Sequence, residues 1–234
     1  MENNIKRERL KEFYFKIKDC QLCELYKSRT NFVFGSGNAN SPVIFIGEAP
    51  GKNEDIQGKP FVGQAGRLLD ELLFSIELER SEIFIANILK CRPPGNRDPR
   101  IEEINICKNH LFKQIEIIDP KLLCTMGKFS TQLIINTSAG ITGLRGKIFM
   151  VNSRAVLPIN HPAAALYTPS RMVVLREDFQ KIKKVLGMKG KLTDGIENIE
   201  DLEVVDYSSS GSTLRAGGDE SSISQNKDEQ LGLF

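Results

Sequence analysis

No hydrophobic run in this chain is long enough to span a bilayer. Its N-terminus, Met1-Glu2-Asn3-Asn4-Ile5-Lys6-Arg7, carries charges with no apolar stretch behind them. These absences argue against a membrane span and against a secretory leader, so a cytoplasmic protein is expected. Histidine is scarce: two residues in 234, His110 and His161, so any imidazole chemistry falls to one of two rings. Net charge is also small, at +2, but it is unevenly placed. From Asp194 to Phe234 there are ten acidic residues against two basic ones, a net of −8, which leaves about +10 for residues 1–193. A basic body with an acidic tail suits a protein that touches a polyanion through its folded part.

What is present begins with cysteine. Four of the five fall as a close pair, Cys20-x-x-Cys23, and a distant pair, Cys91 and Cys107. In a reducing compartment such spaced thiols are read as metal ligands rather than disulfides. The donor set suits zinc or an iron–sulfur cluster, and ligand softness alone does not choose between them. Cys124 lies in the apolar run Leu122-Leu123-Cys124-Thr125-Met126 and reads as a core residue.

Hydrophobic spacing then orders the chain. Apolar residues recur at helical intervals over 6–19, 64–74, 101–117, 128–135 and about 172–186, while 42–47, 83–88, 122–126, 147–151 and 155–159 read as short buried strands. Strands alternating with helices predict one three-layer α/β/α domain on a central, mostly parallel sheet. Ligands of such sheets bind beyond the carboxyl ends of the strands, which is where Glu48, Asn87 and His161 fall. Periodicity fades after about Gly187. The expected organisation is a domain over 1–187, a flexible acidic, Ser/Gly-rich linker over 188–229, and a terminal peptide over 230–234.

Four segments taken together resemble the family 4, iron–sulfur uracil-DNA glycosylases: Gly47-Glu48-Ala49-Pro50-Gly51, Gly58-Lys59-Pro60-Phe61-Val62-Gly63, Asn87-Ile88-Leu89-Lys90-Cys91-Arg92-Pro93-Pro94, and His161-Pro162. The resemblance covers roughly residues 8–187, and the four-cysteine layout agrees with it. It implies a monofunctional glycosylase that hydrolyses the N-glycosidic bond of flipped deoxyuridine in DNA, releasing uracil and leaving an abasic site. It implies a [4Fe-4S] cluster on Cys20, Cys23, Cys91 and Cys107. In the pocket it implies Phe61 stacked under the base, Asn87 reading the N3–H and O4 edge, and backbone of Glu48, Ala49 and Pro50 along the remaining wall. His161 would steady the departing O2.

Ala49 stands where the better-known family 1 enzymes have an aspartate, and alanine cannot activate water. A dissociative reaction is therefore expected, with Glu48 positioning water or stabilising the sugar cation and Glu54 and Asp55 as nearby alternatives. Glu54 is also placed to wall off C5 against thymine. His110 is read as a surface or packing residue, and Arg145, Lys147 and Arg171 as phosphate contacts. Leu166 or Tyr167 is a candidate wedge for the space the base vacates. A relative that traps its product covalently has a histidine-ended basic loop. Arg92 to Pro99 contains no histidine, so turnover is expected.

The sequence ends Gln230-Leu231-Gly232-Leu233-Phe234, which resembles the bacterial sliding-clamp-binding peptide and implies clamp binding through Gln230, Leu231, Leu233 and Phe234. A monomer acting on uracil-containing DNA near the nucleoid is expected. The alternative is a non-catalytic nucleic-acid-binding accessory of the replication machinery. A passive binder, however, needs no residue that reads a base edge.

Overall fold

A computed structural model of the chain describes residues 2–166, 168–187 and 204–206. In chain order the elements are α1 (Glu2–Ile17), β1 (Ser36–Gly37), β2 (Val43–Gly47), α2 (Lys52–Gln57), α3 (Gln64–Phe74), β3 (Phe84–Asn87), α4 (Ile101–Ile118), β4 (Leu122–Met126), α5 (Lys128–Ile135), α6 (Ile141–Leu144), β5 (Ile148–Val151), β6 (Arg154–Ile159), α7 (Pro162–Ala165), α8 (Pro169–Val185) and β7 (Val204–Asp206).

The strands form one sheet in the order β1-β3-β2-β4-β6-β5-β7. Its centre, β3-β2-β4-β6, is parallel throughout. On one side β1 runs antiparallel to β3; on the other, β5 runs antiparallel to β6 and parallel to β7. The central strands are continuous apolar runs because both faces of the sheet are covered. Successive side chains point to opposite faces. Ile44 and Ile46 of β2 accordingly join one core with α1 and α4, while Val43 and Phe45 join a second core with α3 and α8. Helix α3 contributes Leu68, Leu69, Leu72 and Leu73, one apolar face repeating at helical spacing. Cys124 is completely buried in the second core, and that burial pushes its thiol pKa far up.

This is the expected three-layer α/β/α architecture, with differences at the edges. Strand β7 lies within the stretch expected to be a linker, and it pairs with the outer edge of β5. The remainder of that linker and the terminal peptide 230–234 lie outside the described residues. Strand β1 and the short helices α2, α6 and α7 fall where no element was expected. Each is too short to carry a periodic apolar signal. Among the described residues no helix is long and apolar enough to cross a membrane.

Candidate active site and cysteine centre

The parallel strands β2, β3 and β6 point their carboxyl ends the same way, and at that edge opens a cleft of about 440 Å³. Glu48, Ala49 and Pro50 line it from the end of β2, Asn87 from the end of β3, Phe61 from the loop before α3, and His161 from the turn after β6. Residues scattered over more than 110 positions of sequence are thus gathered by one edge of the sheet. Arg97, Asp98 and Pro99 complete the outer wall. Their loop is tied down because Arg97 donates to both carboxylate oxygens of Glu103, 2.9 and 2.5 Å away, on the first turn of α4.

Asn87 is 2% exposed, and its Oδ1 is one of two buried side-chain polar atoms without a hydrogen-bond partner among the described residues. Buried oxygens are nearly always paired, so an orphan in a cleft wall has the form of an acceptor awaiting a ligand's N–H. Behind it there is no slack. A Cβ on Gly47 would lie 2.3 Å from that oxygen and 2.8 Å from the Phe61 ring.

Phe61 is 6% exposed, and its ring stacks on that of His161 with centroids 5.4 Å apart and planes 27° from parallel. His161 caps the N-terminus of α7, where its Nδ1 accepts from the Ala163 N–H at 3.2 Å. Burial pulls the imidazole pKa down to about 4, with the Glu54 carboxylate acting weakly the other way. A neutral ring whose Nδ1 is an acceptor carries its proton on Nε2. The site therefore presents a neutral N–H donor of fixed tautomer.

Glu48 is anchored at the N-terminus of α5, where its Oε1 accepts from the Phe129 N–H at 3.2 Å. Burial raises its pKa and Asp98 adds to the rise, while the α5 amides and Lys128 oppose it. The two alternatives to Glu48 are otherwise engaged. Glu54 Oε1 accepts from the N–H groups of Val62 and Gly63, both at 2.9 Å, so this residue shapes the cleft wall. Asp55 is buried away from the cleft and receives the N–H of Thr30 at 2.8 Å and of Asn31 at 3.3 Å.

Cys20, Cys23, Cys91 and Cys107 are free thiols near enough to act on one another electrostatically. Cys91 and Cys107 are buried, Cys20 and Cys23 partly so. Burial raises Cys23 and Cys91 and pushes Cys107 up to about 12; neighbouring cysteines add to each rise, Cys20 on Cys23, both of these on Cys91, and Cys23 and Cys91 on Cys107. Two cations face this centre. Arg29 Nη1 donates to Cys91 Sγ at 3.3 Å, and the fully buried Lys90 lies electrostatically against Cys107 and Cys91. The Lys90 ammonium, which burial pulls down to about 8, donates to Asn87 O at 2.8 Å and to Gln114 Oε1 at 2.6 Å. A four-thiol set with the buried Lys90 and the partly buried Arg29 beside it fits a group that bears net negative charge when the sulfurs are thiolates. Among the described residues no three His, Cys, Asp or Glu side chains close on a single metal ion.

Of the surface-or-packing readings for His110 the structure gives packing, and one surface expectation, for Arg145, changes. His110 is a buried packing residue, with Nε2 3.4 Å from Cys20 Sγ and the rings of Phe13 and Phe32 beside it. Arg145 is not a free phosphate contact, because its guanidinium is held by the buried Asp178 at 2.9 and 3.2 Å. Arg171 is exposed, Leu166 is partly buried beside α3 and α8, and Tyr167 lies outside the described residues. Sequence reasoning missed Gly47 as the back wall behind Asn87 and Phe61 and missed the Ala163 amide that sets the imidazole tautomer. Neither leaves a signal in residue type or spacing.

Comparison with known proteins gives the family. The uracil DNA glycosylase superfamily matches residues 34–186. A type-4 uracil-DNA glycosylase of Archaeoglobus fulgidus is 42% identical over 78% of this chain and 96% of that protein. One of Saccharolobus solfataricus is 47% identical over 74% and 84%, and one of Thermotoga maritima 40% identical over 79% and 98%. The chain belongs to the type-4 uracil-DNA glycosylases.

Proposed function

We infer that the protein is a monofunctional uracil-DNA glycosylase, and that the cleft at the ends of β2, β3 and β6 receives the extruded base. The observation that carries this reading is the partnerless Asn87 Oδ1 in the wall of a cleft that also holds a buried aromatic ring and a neutral imidazole. An enzyme that acts on a base inside a duplex must flip it out and read its edge and faces. Uracil offers an N3–H donor beside an O4 acceptor, the complement of a carboxamide, whereas cytosine offers the reverse order. Phe61 supplies the face on which the pyrimidine stacks, in a slot bounded by Glu48, Ala49 and Pro50.

Bond breaking then follows from the neighbouring imidazole. As the C1′–N1 bond opens, its electron pair moves into the base and negative charge grows at O2. The Nε2–H of neutral His161 donates to that oxygen, a preorganised dipole aimed where charge develops. Water adds to the oxocarbenium-like C1′, and its proton passes to the carboxylate of Glu48 or to solvent; uracilate regains a proton on release. Glu48 serves because its carboxylate is fixed by the α5 N-terminus and faces the cleft.

Cys20, Cys23, Cys91 and Cys107 hold a [4Fe-4S] cluster in this reading, supported by the four-thiol set and its flanking Arg29 and Lys90. Its contribution is to brace: the ligands tie the turn after α1 and the loop before α4 to the end of β3. The terminal residues Gln230, Leu231, Leu233 and Phe234 are proposed to tether a monomeric enzyme to a sliding clamp. The deciding experiment is release of free uracil from a labelled oligonucleotide with an alkali-labile abasic site left behind. DNA bound without uracil release would support the accessory reading instead.

A further inference from the structure

Phe61 is held in a conformation that a phenylalanine does not choose for itself. Its φ of 53° is left-handed, in a region that bulky side chains rarely occupy without constraint. The constraint is on both sides of the residue. On one side Arg80 Nη2 donates to Phe61 O at 2.6 Å and Nη1 reaches Pro60 O at 3.4 Å. On the other, Glu54 Oε1 gathers the next two amides, Val62 and Gly63. Beneath, Gly66 of α3 gives the peptide its seat, since a Cβ there would lie 1.9 Å from the Phe61 carbonyl oxygen. Asp70, one turn further along α3, orients the guanidinium by accepting from Arg80 Nε at 2.8 Å.

Arg80 does not line the cleft, so it has no contact with a bound base. We propose that Arg80 is a positioning residue for base recognition: together with Glu54, it clamps the backbone of Phe61 so that the ring stands as a fixed floor for the flipped pyrimidine. The argument is geometric. A planar guanidinium spans two successive carbonyls and a carboxylate at once, which a lysine ammonium on a flexible stem does not reproduce. With the clamp released, the chain relaxes toward negative φ and the ring leaves its place against His161. Base affinity then falls while bond breaking in the complexes that do form continues.

This inference rests on the reading of the cleft as a uracil site, and the experiment separates the two. The enzyme is assayed with a uracil-containing duplex and with free uracil as competitor. Arg80→Met is expected to raise both KM and the uracil inhibition constant about tenfold, a loss of about 1.4 kcal/mol, with kcat within twofold of the parent. Arg80→Lys should recover part of the loss. In a Phe61→Leu background Arg80→Met should add almost nothing, because a residue acting through the ring has no further effect once the ring is gone. Asp70→Asn, a milder change, should give a rise of roughly threefold and covers the case in which Arg80→Met fails to fold. An unchanged inhibition constant in Arg80→Met, or in Asp70→Asn should Arg80→Met fail to fold, overturns the proposal, as does an undiminished effect in the Phe61→Leu background. A parent enzyme that releases no uracil overturns the function itself.

Discussion

Replacing Asn87 by alanine should move activity and stability in opposite directions. In the empty protein Oδ1 is buried and unpaired, and a buried polar atom without a partner costs about 1–3 kcal/mol. In the proposed reading, bound uracil removes that penalty by supplying its N3–H, while the amide donates to O4. Alanine leaves both base groups without partners, and the two losses together amount to about 2–4 kcal/mol, roughly a 30- to 900-fold fall in kcat/KM. The same substitution deletes the orphan oxygen from the free enzyme. The space it leaves adjoins an open cleft, so little cavity penalty opposes the gain. Stability should therefore stay level or rise by up to about 1 kcal/mol, a change of about 2–4 °C in Tm for a domain of this size. Single-turnover excision on a uracil duplex and thermal or urea unfolding provide the two measurements. Excision within threefold of the parent, or a clear loss of stability, would refute the idea that this oxygen is reserved for a ligand.

Four further outcomes can be measured. His161→Gln should slow single-turnover excision about 10²-fold, the size of a lost oxyanion donor. It should also flatten the acid dependence of stability. The imidazole is neutral in the fold down to about pH 4 but takes up a proton in the unfolded chain near pH 6.5. As pH falls between those values the histidine favours unfolding, and stability rises with pH across that window; equal slopes for parent and variant in urea titrations would contradict this. Arg145→Met should destabilise by about 3–5 kcal/mol, because it strands the buried Asp178 carboxylate, and a melting curve like the parent's would argue against that. Protein purified without oxygen should contain iron and sulfide, and truncation before Gln230 should abolish clamp pull-down without altering excision on short oligonucleotides; stoichiometric zinc or undiminished pull-down would contradict the respective assignments.

The sheet was legible in the sequence because it is buried on both faces. Val43–Gly47 and Leu122–Met126 are short apolar runs for that reason, and the α3 leucines repeat at helical spacing because one face meets the core. Motif order also brought Glu48, Phe61, Asn87 and His161 into consideration together, and the sheet edge gathers all four. What stayed hidden depends on contacts across the fold. Arg145 looks like a surface cation until Asp178, 33 residues on, is seen to bury its partner. Arg80 spends its donors mainly on backbone oxygens, which look alike beneath every residue type. His110 sits among charged neighbours in sequence, yet its ring is covered by Phe13, Phe32 and Cys20. Strand β7 is three residues in an acidic stretch, and it exists by pairing with β5 rather than by any pattern of its own.

Gly47 sets the depth of the recess by having nothing to put there. One nucleotide change in any glycine codon yields alanine, and the methyl group so introduced would collide with both the carboxamide and the phenyl ring. The smallest of all side-chain additions would thus blind the enzyme to its lesion while the sheet behind it remained whole. Variation in such a repair gene is therefore most dangerous where the protein has least to show.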